Sequence, residues 1–360
     1  MKPAAPVIKI VFLASPTTEV YNFAVGRHKN RSNHYYILMA EMRAFVTGGA
    51  GFIGSHLVDE LMARGHRVTA YDDLRTGFRS FLDRQRNQPR FRLVRGDVLD
   101  LKKLKSSMKG HDIVFHFAAN ADVRGGTADT RIDLEQNTIG THRVLEAMRH
   151  CGAKSIVFAS SAVVYGEPSV FPTPETYAPL QTSLYGASKL AAEALIQAYG
   201  EYYGIQSRSF RFVSWIGERY THGVVFDFVK KLKRDPRSLK VLGDGKQRKS
   251  YLYVKDGVRG IMTALRRPLA GRKGIFNLGH DGTMGVLEVA RLVCREMGLA
   301  GVRIDCAGGR RGWVGDSPIV RLDCRRIKKL GWRPETSIET GMRRTARYLL
   351  DNPGLLAERH

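Results

Sequence analysis

Three side chains in the sequence have the chemistry of a proton-transfer centre. Tyr185 and Lys189 stand four residues apart in SLYGASKLAAE, so on a helix their side chains share one face. An ammonium beside a phenol favours the phenolate, which lets a tyrosine act as a base at neutral pH. Ser161, at the predicted end of a strand, could hold the same substrate oxygen. Taken singly, a surface Tyr/Lys pair and a plain Ser-Ser strand end are the alternatives.

A glycine-rich turn, TGGAGFIGSH, occupies residues 47–56. Gly48, Gly51 and Gly54 follow a predicted strand and open a predicted helix, the context in which such glycines bind dinucleotides. The chain must turn sharply, let its backbone approach a pyrophosphate and pack the helix closely, and each demand excludes a Cβ. The helix N-terminus then offers free N–H groups and a positive dipole to the phosphates. The turn therefore predicts a bound dinucleotide.

An acidic residue after the second predicted strand bears on which dinucleotide is bound. Asp72 can bond both ribose hydroxyls and would repel a 2′-phosphate, so NAD is favoured over NADP, although Arg75 lies close by. The alternative for Asp72 and Asp73 is a strand-end turn. Asp97 and residues 117–119 are expected further along the cofactor, at the carboxyl edge of the sheet. The predicted cofactor contacts are Gly48, Gly51, Phe52, Ile53, Gly54, Asp72, Asp73, Asp97, Val98, Phe117, Ala118, Ala119, Asn137, Tyr185 and Lys189.

The elements that position these residues follow from the hydrophobic pattern. From Met42 onward, short apolar runs alternate with longer amphipathic ones, which is typical of βαβ units. We predict an α/β fold, a Rossmann-type doubly wound parallel sheet with a smaller mixed α/β substrate lobe. The predicted strands are residues 44–47, 67–71, 91–95, 113–117, 155–159, 207–212 and 274–278. The predicted helices are residues 54–64, 101–108, 134–150, 183–203, 286–297 and 338–350.

The domain organisation is predicted from the same rhythm. Residues 42–213 form the NAD-binding domain, to which a segment near 251–280 returns, and residues 214–250 and 281–350 form the substrate-binding lobe. Residues 1–41 have neither a helical nor a strand period and make a poor signal peptide. We expect them to be a disordered arm or the product of an upstream start, with no catalytic residue.

Composition limits the class of protein. The chain has 360 residues, 43% of them hydrophobic, and we find no run of eighteen apolar residues, so a soluble, cytoplasmic protein without a membrane partner is expected. No metal site is predicted, because the cysteines are widely spaced. The net charge of +24 suits polyanions, but the basic residues are scattered at helix-like spacing. A solvated basic face is favoured over a specific nucleic-acid partner.

Taken in order, these motifs resemble the extended short-chain dehydrogenase/reductase family, in its NAD-dependent sugar-nucleotide epimerase/dehydratase branch. The resemblance spans residues 42 to about 350. It implies that Tyr185 removes a proton from a sugar 4-hydroxyl while hydride passes to NAD. It also implies that Ser161 holds the oxygen and that Lys189 tunes the tyrosine and binds the nicotinamide ribose. Besides the glycine turn, the motifs are YDDLRTG, GDVLD, FHFAANADV, NTIGTHRVLEA, SSAVVYGE, YGASKLAAE, GDGKQRKSYLYVKD and LGWRP.

Departures from the family pattern favour one of the family's reactions over the others. Dehydratase relatives carry acids after the active-site hydroxyl residue, and here those places are Ala162 and Val163. This favours a 4-epimerase of UDP-glucose or UDP-galactose type, working through a transient 4-keto intermediate, over a 4,6-dehydratase or a decarboxylase. Val320 suggests a roomy sugar pocket.

The substrate lobe fits the family pattern less well. Ser214 takes the place of an asparagine, Lys249 ends the GDGxQxR pattern, and Trp313 replaces a phosphate-binding arginine for which Arg310 or Arg311 could substitute. The base and the sugar therefore stay open. The predicted substrate contacts are Ser214, Arg248, Lys249, Arg311 and Asp316.

Three functions remain in competition: a nucleotide-sugar 4-epimerase, a reductase that exchanges NAD(P) and releases oxidised product, and a non-catalytic scaffold that binds a polyanion. The predicted helices over residues 134–150 and 183–203 carry more apolar residues than one sheet face needs. Relatives pair these helices across a two-fold axis, so a homodimer is predicted.

Overall fold

The computed structural model describes residues 41–357, so all but the last residue of the predicted extension lies outside the described residues. Fourteen strands are assigned in this part of the chain, and seven of them form one parallel sheet in the order β11-β6-β5-β4-β1-β2-β3. The strands are β1 (Arg43–Thr47), β2 (Arg67–Asp72), β3 (Phe91–Arg95), β4 (Ile113–His116), β5 (Ser155–Ser161), β6 (Gln206–Phe212), β7 (Ser214–Ile216), β8 (Ser238–Val241), β9 (Arg248–Lys249), β10 (Tyr251–Tyr253), β11 (Lys273–Leu278), β12 (Met284–Gly285), β13 (Arg303–Cys306) and β14 (Ile319–Val320).

Helices cover both faces of the sheet, which explains why its central strands are apolar on both sides. In β1, for example, Ala44, Phe45 and Val46 are all fully buried. This is the predicted Rossmann-type fold, and it is confirmed. The α-helices are α1 (Phe52–Ala63), α2 (Leu101–Met108), α3 (Thr130–Asp133), α4 (Gly140–Cys151), α5 (Leu184–Tyr203), α6 (Val224–Arg234), α7 (Val254–Leu265), α8 (Val286–Glu296), α9 (Arg325–Lys328), α10 (Ile338–Asp351) and α11 (Gly354–Ala357).

The strand order reverses between β1 and β4, because β2 and β3 extend to one side and β5, β6 and β11 to the other. Ligands of doubly wound sheets bind in the crevice at such a switch point, beyond the carboxyl ends of the strands. Here the glycine turn leaves β1 and Phe117 follows β4, with the Phe117 N–H bonded to the Thr47 carbonyl at 3.1 Å. The fold therefore places the glycine turn and the segment after β4 side by side.

The helix predicted over residues 134–150 is not a single α-helix. It begins earlier as α3, becomes π-helical over Leu134–Ile139 and continues as α4. The π-helical turn is closely packed. Asn137 within it is buried, and a Cβ on Gly140, directly after it, would lie 3.1 Å from the Val98 side chain. Such π-helical turns are frequent at functional sites.

Among the helices of eight or more residues, α6 and α7 were not predicted. In α7 the glycines lower helix propensity, which hides the helix in the sequence. The structure explains why these positions are glycines. A Cβ on Gly257 would lie 2.2 Å from the Trp215 ring, and one on Gly260 would lie 2.7 Å from the Leu278 side chain. Helix α7 leads to β11, which pairs with β6 over Ser207–Phe212.

Outside the large sheet, α6, α8 and α10 pack against one another. Short strand pairs accompany them, with β8 beside β13, β7 beside β10, and β9 between β12 and β14. The boundaries drawn between the two domains stay predictions. In the described residues, no helix is long and apolar enough to cross a membrane.

Candidate active site

The glycine turn is shaped by close backbone contacts. Gly48 has φ of 69°, and a Cβ there would lie 2.6 Å from the Ala118 nitrogen. A Cβ on Gly54 would lie 2.0 Å from the Gly48 carbonyl oxygen. Gly51 precedes α1, and no side chain caps its N–H groups. The turn therefore leaves the helix N-terminus open to an anion, as a pyrophosphate cradle requires.

Asp72 is buried at the end of β2 with both oxygens engaged. One oxygen accepts the Ala50 N–H and the other accepts the Leu74 N–H, each at 2.9 Å. Burial raises the pKa of this carboxyl, and the two N–H donors oppose the rise. A Cβ on Gly77 would lie 2.9 Å from the Asp72 carboxylate. Each oxygen keeps a second lone pair for a ligand hydroxyl.

The side chain of Arg75 is shared between two predicted cofactor residues. It ion-pairs with Asp73, donates to Asp97 at 3.0 Å and reaches Gln136 at 3.3 Å. Two carboxylates thus face the guanidinium of Arg75, which could otherwise have favoured a 2′-phosphate. The arrangement supports an unphosphorylated ribose, in agreement with the prediction of NAD.

Helix α5 presents the predicted proton-transfer residues. Its start is fixed by Ser183, whose hydroxyl accepts the Gly186 N–H at 3.1 Å, a standard N-cap. Lys189 lies one turn after Tyr185, with its Nζ 5.9 Å from the centroid of the tyrosine ring. The Ser161 hydroxyl, at the end of β5, lies close enough to the Tyr185 phenol to lower its pKa. The structure therefore brings all three residues together.

Burial shifts the pKa values of both titratable residues in this group. Burial raises the pKa of Tyr185 to about 12; the hydrogen bond from Ser161 opposes the rise and Asp133 adds to it. Burial also lowers the pKa of Lys189 to about 8. The Lys189 ammonium donates to the Ala159 carbonyl at 3.0 Å. Burial therefore opposes formation of the phenolate, and a nearby positive charge, such as an oxidised nicotinamide ring carries, would favour it.

A buried carboxylate beside the group escaped the sequence reasoning. Asp133 is 1% exposed; one of its oxygens accepts from Asn120 at 2.9 Å and from Asn137 at 3.2 Å. Its other oxygen has no hydrogen-bond partner among the described residues. Asn137 also donates to Ser188 at 2.9 Å, which ties it to α5. The Asn137 side chain thus links Asp133 to α5, and its contact with a cofactor stays a prediction.

Beneath the site, His116 connects two elements of the crevice. Its ring nitrogens lie 2.8 Å from the Thr47 hydroxyl and 3.0 Å from the Thr141 hydroxyl. Burial lowers the pKa of His116 to about 3, so the ring is neutral at physiological pH. Its role is to join the end of β1 to α4, which the lone histidine in the sequence did not reveal.

A buried ion pair supports the end of β5. Arg211 donates to Glu193 at 3.0 and 2.7 Å, and the exposed fractions of the two side chains are 5% and 1%. The hydroxyl of Ser160 donates to the same carboxylate at 2.5 Å. Glu193 lies one turn after Lys189 on α5, so the pair fixes the helix against β5 and β6.

The predicted substrate residues divide into two groups. Lys249 pairs with Asp316 at 2.5 Å, and its ammonium lies 4.7 Å from the centroid of the Trp313 ring. Arg248 points to the opposite side of β9, where it pairs with Glu288 at 2.7 Å, because adjacent residues of a strand face opposite ways. The structure does not bring Arg248 and Lys249 together.

The remaining predicted substrate residues are near the surface. Ser214 is exposed at the start of β7, and Val320, also near the surface, ends β14. Arg311 pairs with Glu167 at 2.5 Å, and Arg310 pairs with the same carboxylate. Glu167, which the sequence reasoning also missed, follows the SSAVVYG segment directly. The assignment of these residues to a substrate stays a prediction.

Comparisons with known proteins agree with this geometry. A sequence model of the NAD dependent epimerase/dehydratase family matches residues 44–279. The putative UDP-glucose 4-epimerase of Methanocaldococcus jannaschii is 32% identical over 314 residues, 85% of this chain and 98% of that protein. A crystal structure of a UDP-galactose 4-epimerase has TM-score 0.78 and 37% identity, covering 86% of this chain and 99% of the other. The dTDP-glucose 4,6-dehydratase of Streptomyces venezuelae, solved with NAD bound, has TM-score 0.80 and 29% identity, covering 87% and 98%.

Proposed function

This chain belongs to the NAD dependent epimerase/dehydratase family, and we propose that within it the chain is a nucleotide-sugar 4-epimerase with a UDP-glucose or UDP-galactose type substrate. The observation that carries the proposal is the convergence of Ser161, Tyr185 and Lys189 above the switch point, followed by Ala162 and Val163. These two residues supply no acid or base for expelling water. Their apolar side chains favour proton transfer at one sugar hydroxyl over loss of water.

The cofactor of the family is NAD, and the residues of the crevice fit it. The turn at Gly48 and Gly54 has no room for a Cβ and leaves a helix N-terminus open for the pyrophosphate. Asp72 would accept from the adenosine ribose, and Lys189 would donate to the nicotinamide ribose. When bound, NAD would accept a hydride from the sugar carbon and return it.

The chain's own residues would handle the proton and the oxygen. Tyr185 takes the proton of the sugar 4-hydroxyl and later returns it to the 4-keto oxygen, while Ser161 hydrogen-bonds that oxygen. Lys189, held by the Ala159 carbonyl, places its positive charge beside the phenol. Asp133 and Asn137 would position α5 rather than contact the substrate, because the Asn137 amide hydrogen-bonds both Asp133 and Ser188. The same residues in the same positions would serve both the removal of the proton and its return to the 4-keto oxygen.

A 4,6-dehydratase is the second candidate. It is favoured by the TM-score of 0.80 to the Streptomyces enzyme and by the buried carboxylate of Asp133 near Tyr185. Against it, that carboxylate already accepts from Asn120 and Asn137. A dehydratase would release a 4-keto-6-deoxy sugar, and a reductase would show net reduction or oxidation of the nicotinamide.

The test is to incubate the purified protein with UDP-, dTDP-, GDP- and CDP-sugars and to separate the products by anion-exchange chromatography, with absorbance at 340 nm followed in parallel. We expect a 4-epimer and no net change at 340 nm. Tyr185→Phe should lower turnover by about 10² to 10⁴-fold, the usual contribution of a general acid–base residue. Tyr202→Phe, the same substitution at an exposed position of α5, is the control. A deoxy-keto product, or unchanged turnover in Tyr185→Phe, would reject the proposal.

We also propose a homodimer and a cytoplasmic location. Exposed apolar side chains lie on the π-helical segment, at Leu134 and Ile139, and on the first turn of the neighbouring α5, at Leu184. Their burial across a two-fold axis would make one continuous helical interface. Light scattering after size exclusion should give twice the chain mass, and a monomer at micromolar concentration would exclude the dimer. Cell fractionation tests the location.

A further inference from the structure

A glycine-rich segment, residues 307–318, closes one side of the candidate active site. The Ser317 hydroxyl donates to the Gly166 carbonyl, and the Thr182 hydroxyl donates to the Gly315 carbonyl at 3.2 Å. Gly166 follows the turn after Ser161, and Thr182 precedes the helix that carries Tyr185. The segment therefore contacts the chain on both sides of the proton-transfer group.

The charges on this segment are unevenly matched. The guanidiniums of Arg310 and Arg311 converge on the single carboxylate of Glu167, although the sequence separates them by more than 140 residues. Glu167 is the least exposed of the three side chains, at 20%, whereas Arg310 is 75% exposed. One carboxylate cannot neutralise two guanidiniums, so a net positive charge remains. The geometry is a two-arginine anion site that is occupied by the protein's own carboxylate.

The neighbouring cation cannot fill the same role. The ammonium of Lys249 is already paired with Asp316, whose second oxygen accepts the Gly312 N–H at 3.1 Å. Trp313 supplies no cation, and its ring lies beside Lys249. The indole N–H of Trp313 is buried without a hydrogen-bond partner among the described residues. Arg310 and Arg311 are therefore the cations on this segment that an incoming anion could recruit.

We propose that Glu167 is an internal stand-in for the diphosphate of the substrate. In the ligand-free protein it holds Arg310 and Arg311 and keeps residues 307–318 against the catalytic segments. A nucleoside diphosphate, which carries more charge and offers bidentate oxygens, displaces the carboxylate and takes over both guanidiniums. The inference rests on the proposed nucleotide-sugar function and adds a specificity residue to it. The competition lowers the affinity for anions that carry only one charge, because such an anion brings no more negative charge to the two arginines than the Glu167 carboxylate it displaces.

The test measures UDP binding by calorimetry to the protein as purified, with Glu167→Gln compared with wild type. Removal of the competing carboxylate should tighten UDP binding about fivefold, the scale of one partly exposed ion pair. The gain should vanish when Glu167→Gln is combined with Arg310→Gln and Arg311→Gln. Glu339→Gln removes the same charge from a salt bridge on α10 and is the matched control, with unchanged affinity expected.

A second measurement does not depend on the nucleobase. Amide hydrogen exchange of residues 307–318 should rise in ligand-free Glu167→Gln and fall again on addition of inorganic pyrophosphate. Weaker or unchanged UDP binding in Glu167→Gln, a gain that survives loss of both arginines, or no response to either anion would overturn the proposal. The outcomes are separable from the reaction: epimerisation with no Glu167 effect rejects only the stand-in, and a Glu167 effect without epimerisation rejects only the proposed function.

Discussion

The substitution Gly54→Ala probes the cofactor cradle directly. The added Cβ would lie 2.0 Å from the Gly48 carbonyl oxygen and within 3.0 Å of two further backbone atoms. Because ordinary contacts of this kind are near 3.4 Å, the start of α1 must retreat from the turn by more than about 1 Å. Overpacking of this kind costs about 1–3 kcal/mol of the free energy of unfolding.

The effect on the cofactor should be larger than the effect on stability. A shift of about 1 Å removes the hydrogen bonds that the first N–H groups of α1 can give to a pyrophosphate. Two charge-assisted bonds at about 1.5 kcal/mol each amount to an affinity loss on the order of 100-fold. We therefore expect Gly54→Ala to purify with little NAD and to need far higher NAD concentrations for thermal stabilisation.

The assay compares NAD released on denaturation and the shift of the melting temperature with added NAD. Gly354→Ala is the control, because a Cβ there meets nothing within 4 Å. It should retain the NAD content and melting temperature of the wild type. If Gly54→Ala keeps wild-type NAD content and its affinity changes less than twofold, the turn is not the cradle and the reasoning from its geometry is refuted.

Two further predictions concern buried charges. Since burial lowers the pKa of Lys189 from 10.5 to about 8, the unfolded chain binds more protons than the native protein between these values, and the free energy of unfolding should rise with pH across that window. Lys189→Met should flatten the rise in urea unfolding series, and parallel profiles for the two proteins would contradict the assignment. Glu193→Gln should lower the free energy of unfolding by about 3–5 kcal/mol, because Arg211 is left buried without a counter-charge. Its replacement together with Arg211→Met should recover part of the loss, and a loss under about 1 kcal/mol for Glu193→Gln alone would show that the guanidinium finds another partner.

Motifs with a local mechanism were predictable from the sequence. The glycine turn needs only its own backbone and the next strand, and the Tyr185/Lys189 spacing needs only a helix. Both local arrangements are present as expected. The parallel sheet was equally accessible, because a strand buried on both faces produces an apolar run that the sequence displays.

The rest depends on contacts between distant segments. Asp133 and His116 look like ordinary polar residues in the sequence, and their burial follows only from the packing of α3, β4 and α5. The burial that raises the pKa of Tyr185 likewise follows from packing and is not visible in the sequence. Adjacent Arg248 and Lys249 face different partners because they lie in a strand, but the two-residue strand β9 was not predicted, since it forms only by pairing with the distant strands β12 and β14.

The place of β11 at the edge of the large sheet has a consequence for synthesis of the protein. Within residues 41–357, strand β11 pairs only with β6, and β6 precedes it by more than sixty residues. While the chain emerges from the ribosome, β6 therefore presents an unpaired row of backbone groups and two phenylalanines, Phe210 and Phe212, until β11 arrives. A nascent chain that stalls in this interval exposes a sheet edge that can pair with a strand of another chain. The late return of the chain is thus also the step that covers this edge of the sheet.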